Sequence, residues 1–207
     1  MQSLKKIKME VRKRLESNDA AHDFEHIMRV YKNAQRIAKM EGANQKIVLT
    51  SVLLHDIISY SKSDPRSKNS STESAKEAQK ILQRFGYRKD EIMMVSDAIR
   101  DHSFSKGTTP ETLEGKVLQD ADRLDAIGAI GIARVFSVGG TEGRAFYNSQ
   151  DPFCVTRSPD DTRWTVDHFY KKLLLLEKKM NTKTAKIEAK RRVNIMKQFL
   201  RQLESEI

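Results

Sequence analysis

Cysteine is all but absent. Cys154 is the single thiol in 207 residues, so no internal disulfide can form, and the reducing cytoplasm is the expected setting. Proline and glycine are also scarce, four and nine residues, which argues against disorder and against an all-β chain built on tight turns. No apolar run approaches the roughly 18 residues of a membrane span. The opening Met1-Gln2-Ser3-Leu4-Lys5-Lys6-Ile7-Lys8 lacks the apolar stretch of a secretory signal. No membrane partner is expected, and a chain of this length has room for one well-buried core, so residues 1–207 are read as a single domain.

Charge is present in excess but unevenly. The net charge is +10. Residues 1–18 hold six Lys/Arg against two acids and residues 170–207 hold eleven against four, while residues 19–169 balance 21 against 22. Both basic ends read as amphipathic helices, with Leu173, Leu174, Leu176, Met180, Ile187, Val193, Met196, Leu200 and Leu203 offering apolar positions. No aromatic residues interleave with the charge as a base-stacking platform requires, so a solvated outer face is expected and nucleic acid is not expected as a partner. A basic field would still attract anionic nucleotides.

Hydrophobic periodicity predicts an all-α chain, with helices over 3–17, 23–41, 44–58, 71–85, 89–101, 111–122, 124–137, 163–180 and 183–205. No segment alternates at strand spacing. Gly42 and Gly86 read as helix stops, and Ser70-Ser71-Thr72-Glu73 as a cap for the fourth helix. Ser59–Asn69 is read as a polar loop and Gly139–Thr162 as a long irregular insertion, and loops of that length are often functional.

What stands out against this helical background is His55-Asp56, which closes the apolar run Ile47-Val48-Leu49-Thr50-Ser51-Val52-Leu53-Leu54. An imidazole beside a carboxylate at the end of a segment built for burial is costly unless something compensates it. A divalent cation does so, and His26 before the dyad and Asp122 after it are residues of the right chemistry. Two imidazoles and two carboxylates leave about two of six positions open for water and substrate, an N/O set that suits manganese, iron, cobalt, nickel or magnesium better than a closed zinc site. Cys154 is not read as a ligand.

Three segments carry a resemblance: His22-Asp23-Phe24-Glu25-His26-Ile27-Met28-Arg29-Val30, then Leu53-Leu54-His55-Asp56-Ile57, then Leu118-Gln119-Asp120-Ala121-Asp122-Arg123-Leu124-Asp125-Ala126-Ile127-Gly128. In order and in apolar context the chain resembles the HD-domain superfamily of metal-dependent phosphohydrolases. The likeness extends into Ala129–Phe136 and His168–Leu173, and it is similar to the small stand-alone bacterial branch, among whose members nucleotide pyrophosphohydrolase activity is known. It implies an HD-domain helical bundle, with a motif core at about 19–137 and C-terminal helices at about 163–205 packed on it.

The resemblance also implies roles. It assigns one divalent ion, manganese first among the metals above, to His26, His55, Asp56 and Asp122, choosing His26 over His22 because Arg29-Val30 follow it, and Asp122 because it follows an alanine. His22 is then a cap or a phosphate contact, and Arg29, on the face of His26, a phosphate clamp or an ion-pair partner of Glu25. Arg123 is a candidate for substrate phosphate or a surface ion pair. Asp125 is read as an acceptor that orients a ligand histidine. His102, at a helix end, is read as a general acid or phosphate donor, with a dipole-favoured terminal histidine as the alternative. His168 is taken as structural or at a pocket edge. Some relatives carry a glutamate three residues past the dyad as base, where this chain has Ser59, so Asp64 or Glu73 is named in its place.

The implied reaction is hydrolysis of (deoxy)nucleoside triphosphates to monophosphate and pyrophosphate, with a 5′-nucleotidase or guanosine polyphosphate hydrolase as the nearest alternatives. A nucleotide-binding sensor and a nucleic-acid-binding helical protein are the other classes, and a homodimer is left open.

Overall fold

A computed structural model describes residues 2–15, 24–60, 64–103 and 107–207. Nine α-helices follow one another among these residues: α1 (Gln2–Leu15), α2 (Phe24–Glu41), α3 (Gln45–Leu54), α4 (Ser70–Arg84), α5 (Lys89–Asp101), α6 (Leu113–Asp125), α7 (Ala129–Thr141), α8 (Asp167–Lys171) and α9 (Lys183–Glu204). Short 3₁₀ helices occupy Pro65–Asn69 and Leu173–Lys179. There is no strand among the described residues beyond an isolated bridge between Ala145 and Trp164, so the fold is all-α as expected. No single described helix is long and apolar enough to cross a membrane. The chain divides into two compact units, Met1–Asp122 and Arg123–Ile207.

The first unit is built around α3. Asn44 starts it by accepting the N–H groups of Lys46 and Ile47 on its side chain, and every residue from Ile47 to Leu54 is buried. A helix apolar on all sides must be surrounded, and α1, α2 and α5 pack on it. α2 contributes His26, Ile27, Val30, Ala34, Ile37 and Ala38 at three- and four-residue spacing. Fully burying one aliphatic side chain contributes about 1.5–3 kcal/mol, so the ring of helices is held mainly by α3.

The helix boundaries differ from expectation in three informative places. α3 stops at Leu54 and not at 58, because Ile57 N–H turns back to the Leu54 carbonyl and the chain leaves the helix axis at the dyad. Ser59–Asn69 is not all loop: Asp64 caps the 3₁₀ helix that follows it. That helix feeds α4 directly, so the capping position falls to Asn69, which already has helical angles and makes no side-chain cap hydrogen bond. α6 begins where Thr112 Oγ1 accepts the Gly115 N–H and runs to Asp125, with Gly128 at φ +81° before α7; the break falls at the glycine and not between 122 and 124.

In the second unit, α7 and α9 contribute Phe136 and Phe199 to a cluster with Phe146 and Phe169. The expected helix over 163–180 is broken up. Thr165 and Val166 donate their N–H groups to the Ala145 and Phe146 carbonyls, which pins this stretch as turns until α8 starts, and Lys172 then leaves the helical region. The insertion, which begins after Thr141, is tied down by side chains. Asp151 accepts the Val155, Thr156 and Arg157 N–H groups, which push its pKa down to about 2. The Arg157 guanidinium pairs with the fully buried Asp167 and lies over Trp164.

Candidate metal centre

Four elements of the first unit bring ionisable side chains to one place. His26 comes from the first turn of α2, His55 and Asp56 from the turn that ends α3, His102 from the end of α5, and Asp122 from α6. The three histidines are buried, while the Asp56 and Asp122 side chains are 20% and 30% exposed. His26 Nε2 lies 3.7 Å from Asp56 Oδ2 and 3.6 Å from Asp122 Oδ1. His55 Nε2 lies 3.4 Å from Asp56 Oδ2 and 4.0 Å from Asp122 Oδ1. These separations are long for hydrogen bonds, yet they suit atoms that share a cation about 2.0–2.2 Å from each.

The tautomers point the same way. The His55 ring sits at Nδ1 2.8 Å from the Val52 carbonyl, which accepts its proton, so the neutral ring keeps a lone pair at Nε2. That nitrogen is buried and has no hydrogen-bond partner among the described residues. An orphaned buried imidazole nitrogen facing two carboxylates is the arrangement a divalent cation satisfies, so the residues fit the ion the chemistry implies. His26, His55 and Asp56 place one ligand atom each within 4.8 Å of one another.

His102 repeats the device. Its Nδ1 lies 2.6 Å from the Ile99 carbonyl, three residues back, just as His55 bonds Val52. Its Nε2 is 3.8 Å from the other oxygen of Asp56, and its ring stands edge-on to His55 at 5.0 Å. Burial and the neighbouring His55 push its pKa down, against the pull of Asp56 and Asp122. Asp56 thus faces the His26–His55 pair with one oxygen and His102 with the other.

The remaining site candidates are placed less centrally. Arg29 is half-buried, one turn beyond His26 on α2. Asp64 accepts the Arg66 backbone N–H at 2.9 Å and its guanidinium at 2.7 Å, which lowers its pKa; a carboxylate so engaged is a capping group and a weak base. Glu73 accepts the Tyr60 hydroxyl at 2.6 Å. Arg123 falls in the second unit, buried, with its guanidinium donating to the Lys179 carbonyl. Asp125 accepts from Arg134 at 2.9 Å, and His55 is oriented by the Val52 carbonyl. His168 Nδ1 lies 2.7 Å from Asp161, in keeping with a structural role. His22 lies outside the described residues.

One residue escaped the motif reading. Gln119, buried one turn before Asp122, donates its amide to the carbonyls of Thr108, His102 and Asp101, at 2.9, 3.3 and 3.4 Å. It ties the end of α5, and with it His102, to the helix that carries Asp122. Only a polar side chain in an otherwise buried stretch of α6 hints at this in the sequence.

Comparison with known proteins gives a consistent result. The HD domain family matches residues 23–127. The Bacillus subtilis protein YpgQ is 38% identical over 197 residues, 93% of this chain and 88% of that one. The crystal structure of YpgQ in complex with ADP is similar with a TM-score of 0.77 at 36% identity, covering 100% of this chain and 95% of that one. An HD-superfamily hydrolase from Bacillus thuringiensis gives 0.78 at 35% identity, with 99% and 96% covered. A Lactobacillus plantarum protein gives 0.79 at 32%, with the same coverage.

Proposed function

We propose that this chain, which belongs to the HD domain family and is a metal-dependent phosphohydrolase, acts on nucleotides and cleaves (deoxy)nucleoside triphosphates to monophosphate and pyrophosphate. The observation that carries the reading is the buried, unsatisfied Nε2 of His55 set against Asp56 and Asp122. The nucleotide class is supported by the ADP in the complex of YpgQ, a relative similar over nearly its whole length.

In this reading His26, His55, Asp56 and Asp122 hold one divalent ion, manganese first and iron, cobalt, nickel or magnesium as alternatives. When bound, such an ion supplies positive charge to phosphoryl oxygens and acidifies water near it. The chain does the rest. Arg29, partly open beside His26, binds the phosphate chain through its planar guanidinium. His102 exchanges its proton at Nε2, since Nδ1–H is held by the Ile99 carbonyl. Gln119 keeps His102 in register with Asp122. The partly exposed Asp56 and Asp122 mark the side from which water and substrate enter.

A reducing compartment suits the one thiol. Burial and the neighbouring Asp167 push the Cys154 pKa up to about 11, which keeps it protonated and unreactive near neutrality.

The test is a metal-supplemented screen of nucleoside mono-, di- and triphosphates and guanosine polyphosphates that measures orthophosphate and pyrophosphate separately. Pyrophosphate from triphosphates is the expected product. Orthophosphate from monophosphates would make the protein a 5′-nucleotidase, pyrophosphate from guanosine polyphosphates alone would make it a signal hydrolase, and binding without turnover would make it a sensor.

A further inference from the structure

We propose that one side of α9 is a docking surface for the phosphate backbone of duplex nucleic acid. Folding sorts the basic excess of the C-terminal region. Arg191 and Arg192 both pair with Glu188, and Lys171 pairs with Asp161. Lys183, Lys186, Lys190, Lys197 and Arg201 are exposed and make no ion pair among the described residues.

At 100° per residue these five fall within about 60° of arc and extend for about 27 Å along the helix. No acid lies among them, and Glu204 and Glu206 come only after the last one. Within the row, Lys186 and Lys190, and Lys197 and Arg201, are like charges four residues apart, an arrangement that costs an isolated helix stability. A row of mutually repelling cations is relieved by a linear polyanion. Each strand of a duplex presents a phosphate about every 3.4 Å of axis, so about eight phosphates run the length of the row.

The same face speaks against other polyanions. Ala185, Ala189, Val193, Met196 and Leu200 are buried, so the apolar side of α9 is not available to a lipid surface, and Ile187 is its lone exposed aliphatic residue. The face carries no aromatic ring on which unpaired bases would stack. Asn194 and Gln198 share it, but phosphate contacts alone convey no sequence preference, so the binding is sequence-independent and salt-labile.

The test is fluorescence anisotropy with the full-length protein and a labelled duplex of mixed sequence, from 50 to 200 mM salt. Five phosphate contacts give a slope of log K against log salt of about −4.5, at roughly −0.9 per contact. Lys186→Gln/Lys190→Gln/Lys197→Gln should reduce the magnitude of that slope by about 2.7 and weaken binding at 50 mM salt more than tenfold, with nucleotide hydrolysis unchanged. The triple variant Lys5→Gln/Lys6→Gln/Lys13→Gln, which removes as much charge from α1, should leave the slope in place. An equal effect of the two triples would show a diffuse field and overturn the proposal. So would no duplex binding at 50 mM salt, or binding to phosphatidylserine vesicles in place of duplex.

Discussion

At the scale of single residues, the tautomer of His55 decides the most. Its Nδ1–H is committed to a carbonyl three residues back, so whatever satisfies Nε2 must accept a lone pair, and the nearest groups are carboxylates, which when ionised are acceptors and have no proton to give. The protein purified without chelator should hold about one equivalent of transition metal by elemental analysis. His55→Ala and Asp56→Ala should each abolish it, and full occupancy in both would remove the metal centre. His102 differs in kind, because it faces the outer oxygen of Asp56 and not the His26–His55 pair. His102→Ala should keep the metal and lose turnover by about 10²- to 10⁴-fold, whereas Asp122→Ala should lose metal and turnover together. A His102→Ala variant as active as the parent on every nucleotide would reduce His102 to a helix-end residue. The candidate dyad was legible because a His-Asp pair after eight buried, mostly apolar residues has no cheap apolar explanation. The engagement of Asp64 by Arg66 and of Asp125 by Arg134 was not, because an ion-pair partner is chosen by side-chain geometry that spacing does not encode.

At the scale of elements, local signals succeeded where one residue controls the backbone. Gly42 and Gly86 stop α2 and α4 at positive φ, as their positions in the sequence imply. The end of α3 and the breaking of 163–180 were hidden, since both involve contacts from elsewhere: Ser74 Oγ bonding the Ile58 N–H and carbonyl just past the dyad in one case, the Ala145–Trp164 bridge in the other. Within α9, Glu188 is a local lock whose effect is measurable. Arg191 and Arg192 hold its pKa down at about 2. A depressed carboxylate contributes stability above its unfolded pKa and loses it as pH falls through the folded value, so the loss runs from about pH 4.5 down to about pH 2. With Arg191 in solvent, screening leaves a contribution of about 1 kcal/mol. Glu188→Gln should flatten denaturant midpoints across that window while leaving activity intact, and an unchanged pH profile would show that the pairs contribute nothing net.

At the scale of the whole molecule, the sequence disclosed an all-α fold and the order of its motifs, because both follow from periodicity and residue type. The division between Asp122 and Arg123 was not legible, because it falls within a continuous helix and no linker marks it. The division has a thermodynamic consequence. All four proposed ligands belong to the first unit, whereas the aromatic cluster and the Arg157–Asp167 lock belong to the second. A metal bound only by the folded state stabilises by RT ln(1 + [M]/Kd), about 4 kcal/mol at a thousand times Kd, and in a chain of this size each kcal/mol moves a melting temperature by roughly 2–4 °C. Stripping the ion should therefore lower the melting temperature by about 8–16 °C, and restoring manganese should recover it. If the units melt separately in calorimetry, the first transition alone should move, while Glu188→Gln should alter the pH dependence of the other. His55→Ala should melt at one temperature with or without metal. A chelator-induced shift of the same size in His55→Ala would mean that the stabilising ion binds elsewhere than at the dyad.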